Sequence, residues 1–228
     1  MRLLPFSRKR IDKTTPGKIV TILNDRNVDL VVDVGANVGQ TGLGLRQAGY
    51  TGRILSFEPV PAAHAALCAA AAGDDAWTVA ERMAIGDRDG EIEINVADST
   101  DMSSALDASD ELLRTLPKTR SANRIVAPLH RLDSILPELA GGARNLFLKV
   151  DTQGFERNVL NGAPDTLRRI RGLQMELSLF PLYRGEETYL PFLNDLHAMG
   201  MEPLMIVETN FSRTLKRQLQ IDVVFGRP

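Results

Sequence analysis

Seven apolar runs rich in β-branched residues recur along the chain and alternate with stretches of helical spacing. That alternation restricts the fold more than any other feature. The runs are LVVDV from Leu30, RILSFE from Arg53, WTVAERMAI from Trp77, NLFLKVD from Asn145, GLQMELSL from Gly172, MEPLMIVE from Met201 and QIDVVFG from Gln220. Helical spacing predicts helices over 40–48, 62–72, 158–170 and 188–199. The pattern describes an α/β protein with a mostly parallel sheet and helices on both faces. Only TNFSRTLKRQLQ separates the last two runs. It contains no clear amphipathic helix, so the final strand is expected to run antiparallel.

The middle of the chain departs from this rhythm. GEIEINVADSTDMSS alternates like a strand and then turns polar, and a further polar stretch follows before the next core strand. Residues 87–129 are read as an insertion carrying an extra strand pair, within a single domain over 28–228. A basic segment or helix over 1–27 precedes it.

A length of 228 residues suits one α/β domain, and a net charge of −2 gives no electrostatic argument for nucleic acid as a partner. The single cysteine, Cys68, excludes an intrachain disulfide. In AAHAALCAAAAG it reads as a buried structural thiol. No Cys/His cluster suggests zinc. Asp151, Glu176 and Asp222 could gather a hard cation, but their spacing requires none, and no metal is expected. No apolar run approaches the roughly 20 residues of a membrane span. The opening MRLLPFSRKRIDK lacks a signal-peptide core, so a cytoplasmic protein is expected. Its basic residues (Arg2, Arg8, Lys9, Arg10, Lys13) read as a solvated tail. Oligomeric state is not encoded in any pattern here.

The candidate site begins where Leu30–Val34 runs into GANVGQ. A strand, a glycine loop and a helix place backbone N–H groups at the strand's carboxyl end, where nucleotide-like ligands bind. Gly35 and Gly39 are present, but Asn37 stands where a dinucleotide fingerprint needs its second glycine. Glu58 closes the second strand, where a carboxylate can accept hydrogen bonds from unphosphorylated ribose hydroxyls. Its alternative role is capping the helix after Pro59. ERMAIGD reads as the third strand, ending at Ala84 and Ile85, small and apolar enough to flank an adenine ring. These three strand ends together suggest an adenosine without phosphates.

VVDVGANVGQ, LSFEPVP, ERMAIGD, HRLDSIL, FLKVDTQGFERNVLNGA and LQMELSLFPLY, in that order, resemble the FkbM family of S-adenosylmethionine-dependent methyltransferases. The resemblance implies the class I methyltransferase fold, a seven-stranded sheet of order 3-2-1-4-5-7-6 with strand 7 antiparallel. It also implies O-methylation of a hydroxyl on a sugar, glycolipid or polyketide-like natural product. Carried onto this chain, it puts the cofactor's methionine part by Asp33, Gly35, Asn37 and Gly39, its ribose on Glu58 and its adenine by Ala84 and Ile85. Asp33 could attract the ligand ammonium directly or through water, and the loop N–H groups could meet its carboxylate. Many members carry Glu where this chain has Gln153, so no base is available at that position.

An aliphatic hydroxyl is a weak nucleophile at neutral pH, and the enzyme must align its oxygen and remove its proton. Asp151, at the end of NLFLKV, is the leading acid, base or positioning group, with a helix N-cap as its alternative role. Glu156 is read one turn into the following helix, as a dipole complement or a substrate contact. Glu176 lies in an otherwise apolar strand, where an unpaired carboxylate would be costly. Lys149 shares a face with Asp151 and could pair with an acid. Ser103 and Ser104 are placed by the resemblance near the site mouth as substrate contacts. His130 is a further candidate base, whereas His64 and His197 read as surface residues. The rival functions are a nicotinamide-dependent oxidoreductase, disfavoured by the missing third glycine, and a non-catalytic cofactor-binding subunit. The expected acceptor is a small molecule or glycan.

Overall fold

The computed structural model describes residues 13–97, 100–115, 119 and 121–227. The chain runs α1 (Thr15–Asp25), β1 (Leu30–Val34), α2 (Gln40–Gln47), β2 (Arg53–Phe57), α3 (Pro61–Ala71) and β3 (Trp77–Val79). The middle holds β4 (Ala84–Gly86), β5 (Gly90–Ala97), α4 (Asp110–Thr115) and β6 (Ser121–Arg131). Then come α5 (Leu132–Leu139), β7 (Leu146–Val150), α6 (Glu156–Asn161), α7 (Pro164–Arg169), β8 (Gly172–Ser178) and α8 (Tyr189–Ala198). The chain closes with β9 (Glu202–Glu208), β10 (Phe211–Ser212), β11 (Arg217–Gln218) and β12 (Gln220–Gly226).

Seven strands form the main sheet in the order β3-β2-β1-β7-β8-β12-β9. Counted along the sheet's own strands, this is the order 3-2-1-4-5-7-6. The strands are parallel except β12, which is antiparallel to both neighbours. The reason is local: β9 and β12 are joined by the β10–β11 hairpin, too short for the crossover that parallel pairing needs.

Alternation along β1 assigns the two layers. Leu30, Val32 and Val34 point into one core with α5, α6, α7 and α8. Val31 points into the other, with α1, α2, α3 and Trp77. A strand covered on both faces must be apolar nearly throughout, and all five residues of β1 are buried. The exception is Asp33, on the Val31 face.

Beside the main sheet lies a three-stranded sheet, β4-β6-β5, with β4 parallel and β5 antiparallel to β6. This corrects one expectation. The third strand of the main sheet is Trp77–Val79, and ERMAIGD supplies β4 of the smaller sheet instead. Pairing of Trp77 with Ile54 ends at Val79, and Ala84 onward pairs with Leu129–Arg131.

The single helix expected over 158–170 is two, α6 and α7, separated at Gly162 and Ala163. A Cβ at Gly162 would lie 1.8 Å from the Gly86 carbonyl oxygen, and Pro164 then starts α7 at a position that suits proline. Gly162→Ala is therefore expected to destabilise the fold by about 1–3 kcal/mol, the usual cost of overpacking. A lowered urea midpoint with an unchanged m-value would show this; an unaltered midpoint would mean the contact relaxes freely.

Cys68 is exposed, not buried. The buried face of α3 is Ala63, Leu67 and Ala71, and Cys68 sits one position around from it, with its Sγ 3.7 Å from His64 Nδ1. His64 is half-buried, Nε2 lying 2.8 Å from the Ala80 carbonyl oxygen, and His197 is exposed. Of the basic N-terminal residues, Lys13 is exposed, and Arg2, Arg8, Lys9 and Arg10 lie outside the described residues. Among the described residues no helix is long and apolar enough to cross a membrane, and no group of three or more acidic, His or Cys side chains is arranged to hold a metal ion.

Candidate active site

The carboxyl ends of β1, β2 and β7 border a cleft with about 710 Å³ of empty space, part of it open to solvent. Gly35, Asn37 and Gln40 come to it from the first loop, and Glu58 with Val60 from the second. Met83, Ala84 and Ile85 form an apolar wall with Ile92 and Ile94 of β5. The segment after β5 adds Asp101, Ser103 and Ser104, and the loop after β7 adds Asp151, Thr152, Gln153 and Phe155.

Gly35 has φ +79°, and a Cβ there would lie 1.9 Å from the Asp151 carbonyl oxygen. Only glycine lets the first loop approach the third this closely. Asn37 also adopts a positive φ, 46°, which asparagine tolerates. The loop N–H groups differ from expectation. Those of Gly35 and Ala36 both donate to the Phe57 carbonyl, that of Asn37 to Glu58, and that of Gly39 to the Ala36 carbonyl. These four hold the loop's own shape and are not available to a ligand carboxylate. The first-turn N–H groups of α2, beside Gln40, lack intrahelical acceptors by helix geometry and are better placed for that role.

Glu58 is only 6% exposed. Its Oε1 accepts from the Val60 N–H and its Oε2 from the Asn37 N–H, both at 2.8 Å. It thus serves the N-cap residue of α3 and braces the glycine loop, while each oxygen keeps a second lone pair for a ligand hydroxyl. Burial pushes its carboxyl up to about 7, against the pull of the two backbone hydrogen bonds. Asn37 Oδ1 is buried without a hydrogen-bond partner among the described residues and belongs to a residue lining the cleft. An orphaned acceptor there fits a ligand that brings N–H or O–H donors.

Behind the cleft wall a polar row crosses four strands in register: Ser56, Asp33, Lys149 and Gln174. Asp33 is fully buried, and Lys149 Nζ lies 3.4 Å from Asp33 Oδ1 and 3.3 Å from Asp151 Oδ2. Burial raises the Asp33 pKa, with Lys149 opposing it. Burial alone would lower the Lys149 pKa, but Asp151, Asp33 and Asp222 outweigh it and hold the ammonium charged. One cation faces three carboxylates, so this side of the cleft favours a cationic ligand.

The third loop is tied together by Gln153, a non-glycine residue at φ +54°. Its Nε2 lies 2.9 Å from Asp151 Oδ1 and 2.8 Å from Glu176 Oε2, and the Tyr183 hydroxyl donates to its Oε1 at 3.1 Å. Gln220 Nε2 also donates to Glu176 Oε2, at 2.7 Å. Glu176 is thus paired with amides and does not line the cleft; burial, then Asp151 and Asp222, raise its pKa well above normal. Glu156 is the first residue of α6, not one turn inside it, and Asp151 is not the cap. The Glu156 carboxylate accepts from the N–H groups of Thr152 at 2.8 Å and Gly154 at 3.2 Å, closing the loop, and burial lifts its pKa to about 7.

Of the residues singled out from sequence, Gly35, Asn37, Glu58, Ala84, Ile85, Ser103, Ser104 and Asp151 meet on the cleft. Asp33, Gly39, Lys149, Glu156 and Glu176 stand behind it. His130 lies in β6, 3.4 Å from Asp89, away from the cleft. Met83, Phe155, Gln153 and Gln40 were not singled out as lining residues. Met83 and Phe155 lie inside ERMAIGD and FLKVDTQGFERNVLNGA, next to Ala84 and Glu156 that were singled out, and simple flanking would have found them.

A mostly parallel sheet with this strand order and one antiparallel strand, β12, is that of the class I methyltransferase fold. The chain belongs to the FkbM family: the description "Methyltransferase FkbM domain" matches residues 33–203. It is accordingly an S-adenosylmethionine-dependent methyltransferase. Among solved structures, TehB from Haemophilus influenzae is similar at 9% identity, covering 93% of this chain and 62% of that one, with a TM-score of 0.50. Magnesium protoporphyrin IX methyltransferase from Synechocystis PCC 6803 with bound cofactor is 12% identical over 97% of this chain and 79% of its own, TM-score 0.49. Likeness at such identity concerns the fold alone. No curated protein matches the chain.

Glu58 gives a testable consequence. Its neutral form is favoured in the ligand-free fold below about pH 7, so a ligand that needs the carboxylate must first displace a proton there. Cofactor affinity should rise with pH up to about 7, by at most roughly tenfold per unit, and level off above it. Glu58→Ala should weaken binding by about 1.5–3 kcal/mol and abolish that pH dependence. Isothermal titration between pH 5.5 and 8.5 reads both. Equal affinity of the folded variant would leave Glu58 as a cap and loop brace alone.

Proposed function

We propose that the enzyme transfers a methyl group to a hydroxyl of a small molecule or glycan (a sugar, glycolipid or polyketide-like product), with Asp151 acting on that hydroxyl. One observation carries this reading: Asp151 lines the cleft where β1 and β7 meet, and both its oxygens are held, Oδ1 by Gln153 and Oδ2 by Lys149. A carboxylate clamped from both sides has little freedom to turn away, so it can orient an acceptor O–H and take its proton as the C–O bond forms. When bound, S-adenosylmethionine would supply a methyl group on a sulfonium, already electrophilic enough to need no further activation, with the electron pair of the broken methyl–sulfur bond staying on sulfur as a neutral thioether. Lys149 places its ammonium 3.3 Å from Asp151 Oδ2, and the apolar wall of Met83, Ala84 and Ile85 offers a slot for adenine. Ser103 and Ser104 lie on the same cleft as candidate acceptor contacts.

The near-neutral charge of −2 supports an uncharged acceptor over nucleic acid. Incubation with methyl-labelled cofactor and a panel of glycosides and polyketide alcohols tests the reading. Label in an ether-linked methyl is the expected product. Label confined to nitrogen, carbon or RNA would refute the hydroxyl assignment.

A further inference from the structure

A second hollow adjoins the cofactor cleft, with about 1170 Å³ of empty space open to solvent. Ser104 lines both spaces. Its hydroxyl donates to the Gln153 carbonyl oxygen at 2.6 Å, in the loop that carries Asp151. Tyr183, on the wall of the second hollow, reaches through to Gln153 Oε1, whose amide nitrogen in turn holds Asp151. The two hollows thus meet at the residues that fix the proposed base.

Resting on the hydroxyl-methylation reading above, we propose that this chamber binds the acceptor and that it takes a neutral, polyhydroxylated ring, a sugar or cyclic polyol. Its two sides differ in chemistry. One is apolar: Tyr183, Met102 and Leu106 belong to the small core around Leu112 and Leu182. The other presents Asn95, Asp107 and Arg124 as a connected set. Arg124 donates from Nε to Asn95 Oδ1 at 3.0 Å and from an Nη to Asp107 at 3.1 Å, and Asn95 Nδ2 lies 3.2 Å from the same carboxylate.

Arg124 also approaches Glu93 at 3.6 Å, and Arg184, the other arginine on the chamber wall among the described residues, pairs with Asp110 at 3.1 Å. Both cations are therefore already neutralised, and a phosphate or nucleic-acid backbone would find no uncompensated charge among them. A hydroxyl is different, because it can accept from guanidinium and donate to carboxylate at once without breaking their pairing. A ring with one C–H face and a hydroxyl edge matches an apolar floor facing a donor–acceptor set.

The test uses the full chain saturated with S-adenosylhomocysteine and saturation-transfer NMR with methyl glycosides, inositol, a sugar phosphate and a short single-stranded RNA. At least one neutral glycoside or polyol should receive saturation and bind more tightly than the phosphate or the RNA. Arg124→Ala, a change at an exposed side chain, and Ala108→Trp, which fills the chamber, should each weaken that binding by about tenfold or more. Affinity for S-adenosylhomocysteine should stay unchanged in both, since neither residue lines the cofactor cleft. Should Ala108→Trp fail to fold, Arg124→Ala decides alone. Unchanged glycoside affinity in the folded variants overturns the location, and preference for phosphate or RNA, or no neutral ligand bound, overturns the class. Either failure with cofactor product still bound leaves the methyltransferase standing. Failure to bind S-adenosylhomocysteine would overturn both readings together.

Discussion

Asp151→Asn is expected to lower turnover by about 10²–10⁴-fold, the usual size of a general-base contribution. The change is nearly isosteric. Asparagine can still accept through Oδ1, where Gln153 Nε2 donates at 2.9 Å, so the loop shape should survive. What disappears is the anion, and with it both the proton acceptor and the partner that Lys149 contacts at 3.3 Å. Cofactor affinity should change far less if ribose and adenine are held, as proposed, by Glu58, Ala84 and Ile85 on the other side of the cleft. Single-turnover kinetics separate the two. Near-normal turnover in Asp151→Asn, with collapse in Glu176→Gln or His130→Ala, would move the base to one of those residues.

Lys149→Met should be as large an effect, but on stability. Lys149 is only 6% exposed and lies between Asp33 and Asp151. Removing it leaves the fully buried Asp33 without a counter-charge. Breaking a buried pair from one side costs about 3–5 kcal/mol, because the surviving charge remains desolvated. The double change Lys149→Met with Asp33→Asn should recover much of the loss, since the fully buried carboxylate is then gone and Asp151 is partly exposed. Urea denaturation of the four proteins closes the cycle. A single Lys149→Met variant as stable as wild type would mean that Asp33 is neutral in the fold and needs no partner.

The sheet was legible in the sequence because its signal is local and periodic. Buried parallel strands must be apolar throughout, and seven such runs spaced by helices leave few topologies. The short segment between the last two runs signalled the antiparallel strand. The cleft positions of Gly35 and Glu58 were legible for a different reason: a glycine or an acid just past the end of an apolar strand carries a geometric meaning, whereas Asp33, one residue earlier, lies behind the cleft beside Lys149.

What escaped was decided by contacts distant in sequence. Nothing near Gly162 announces that its missing side chain makes room for the Gly86 carbonyl, so one helix was expected where two stand. WTVAERMAI reads as one apolar run, yet Trp77–Val79 pairs with β2 and Ala84–Gly86 with β6. The alanine-rich sequence around Cys68 hid which face of the helix is buried, since alanine marks neither side. Gln153 was noted only for lacking a carboxylate. Its tie between Asp151, Glu176 and Tyr183 depends on three separate strands and loops converging. Asn95, Asp107 and Arg124 are ordinary polar residues until the smaller sheet brings them together.

The cofactor site itself is tested most directly by calorimetric titration of the wild-type protein with S-adenosylmethionine and with NAD at pH 7.5. A cleft bordered by Glu58, by an apolar wall of Met83, Ala84 and Ile85 and by an excess of carboxylate should give saturable binding of S-adenosylmethionine and no heat with NAD. Tight binding of NAD with no response to S-adenosylmethionine would contradict it.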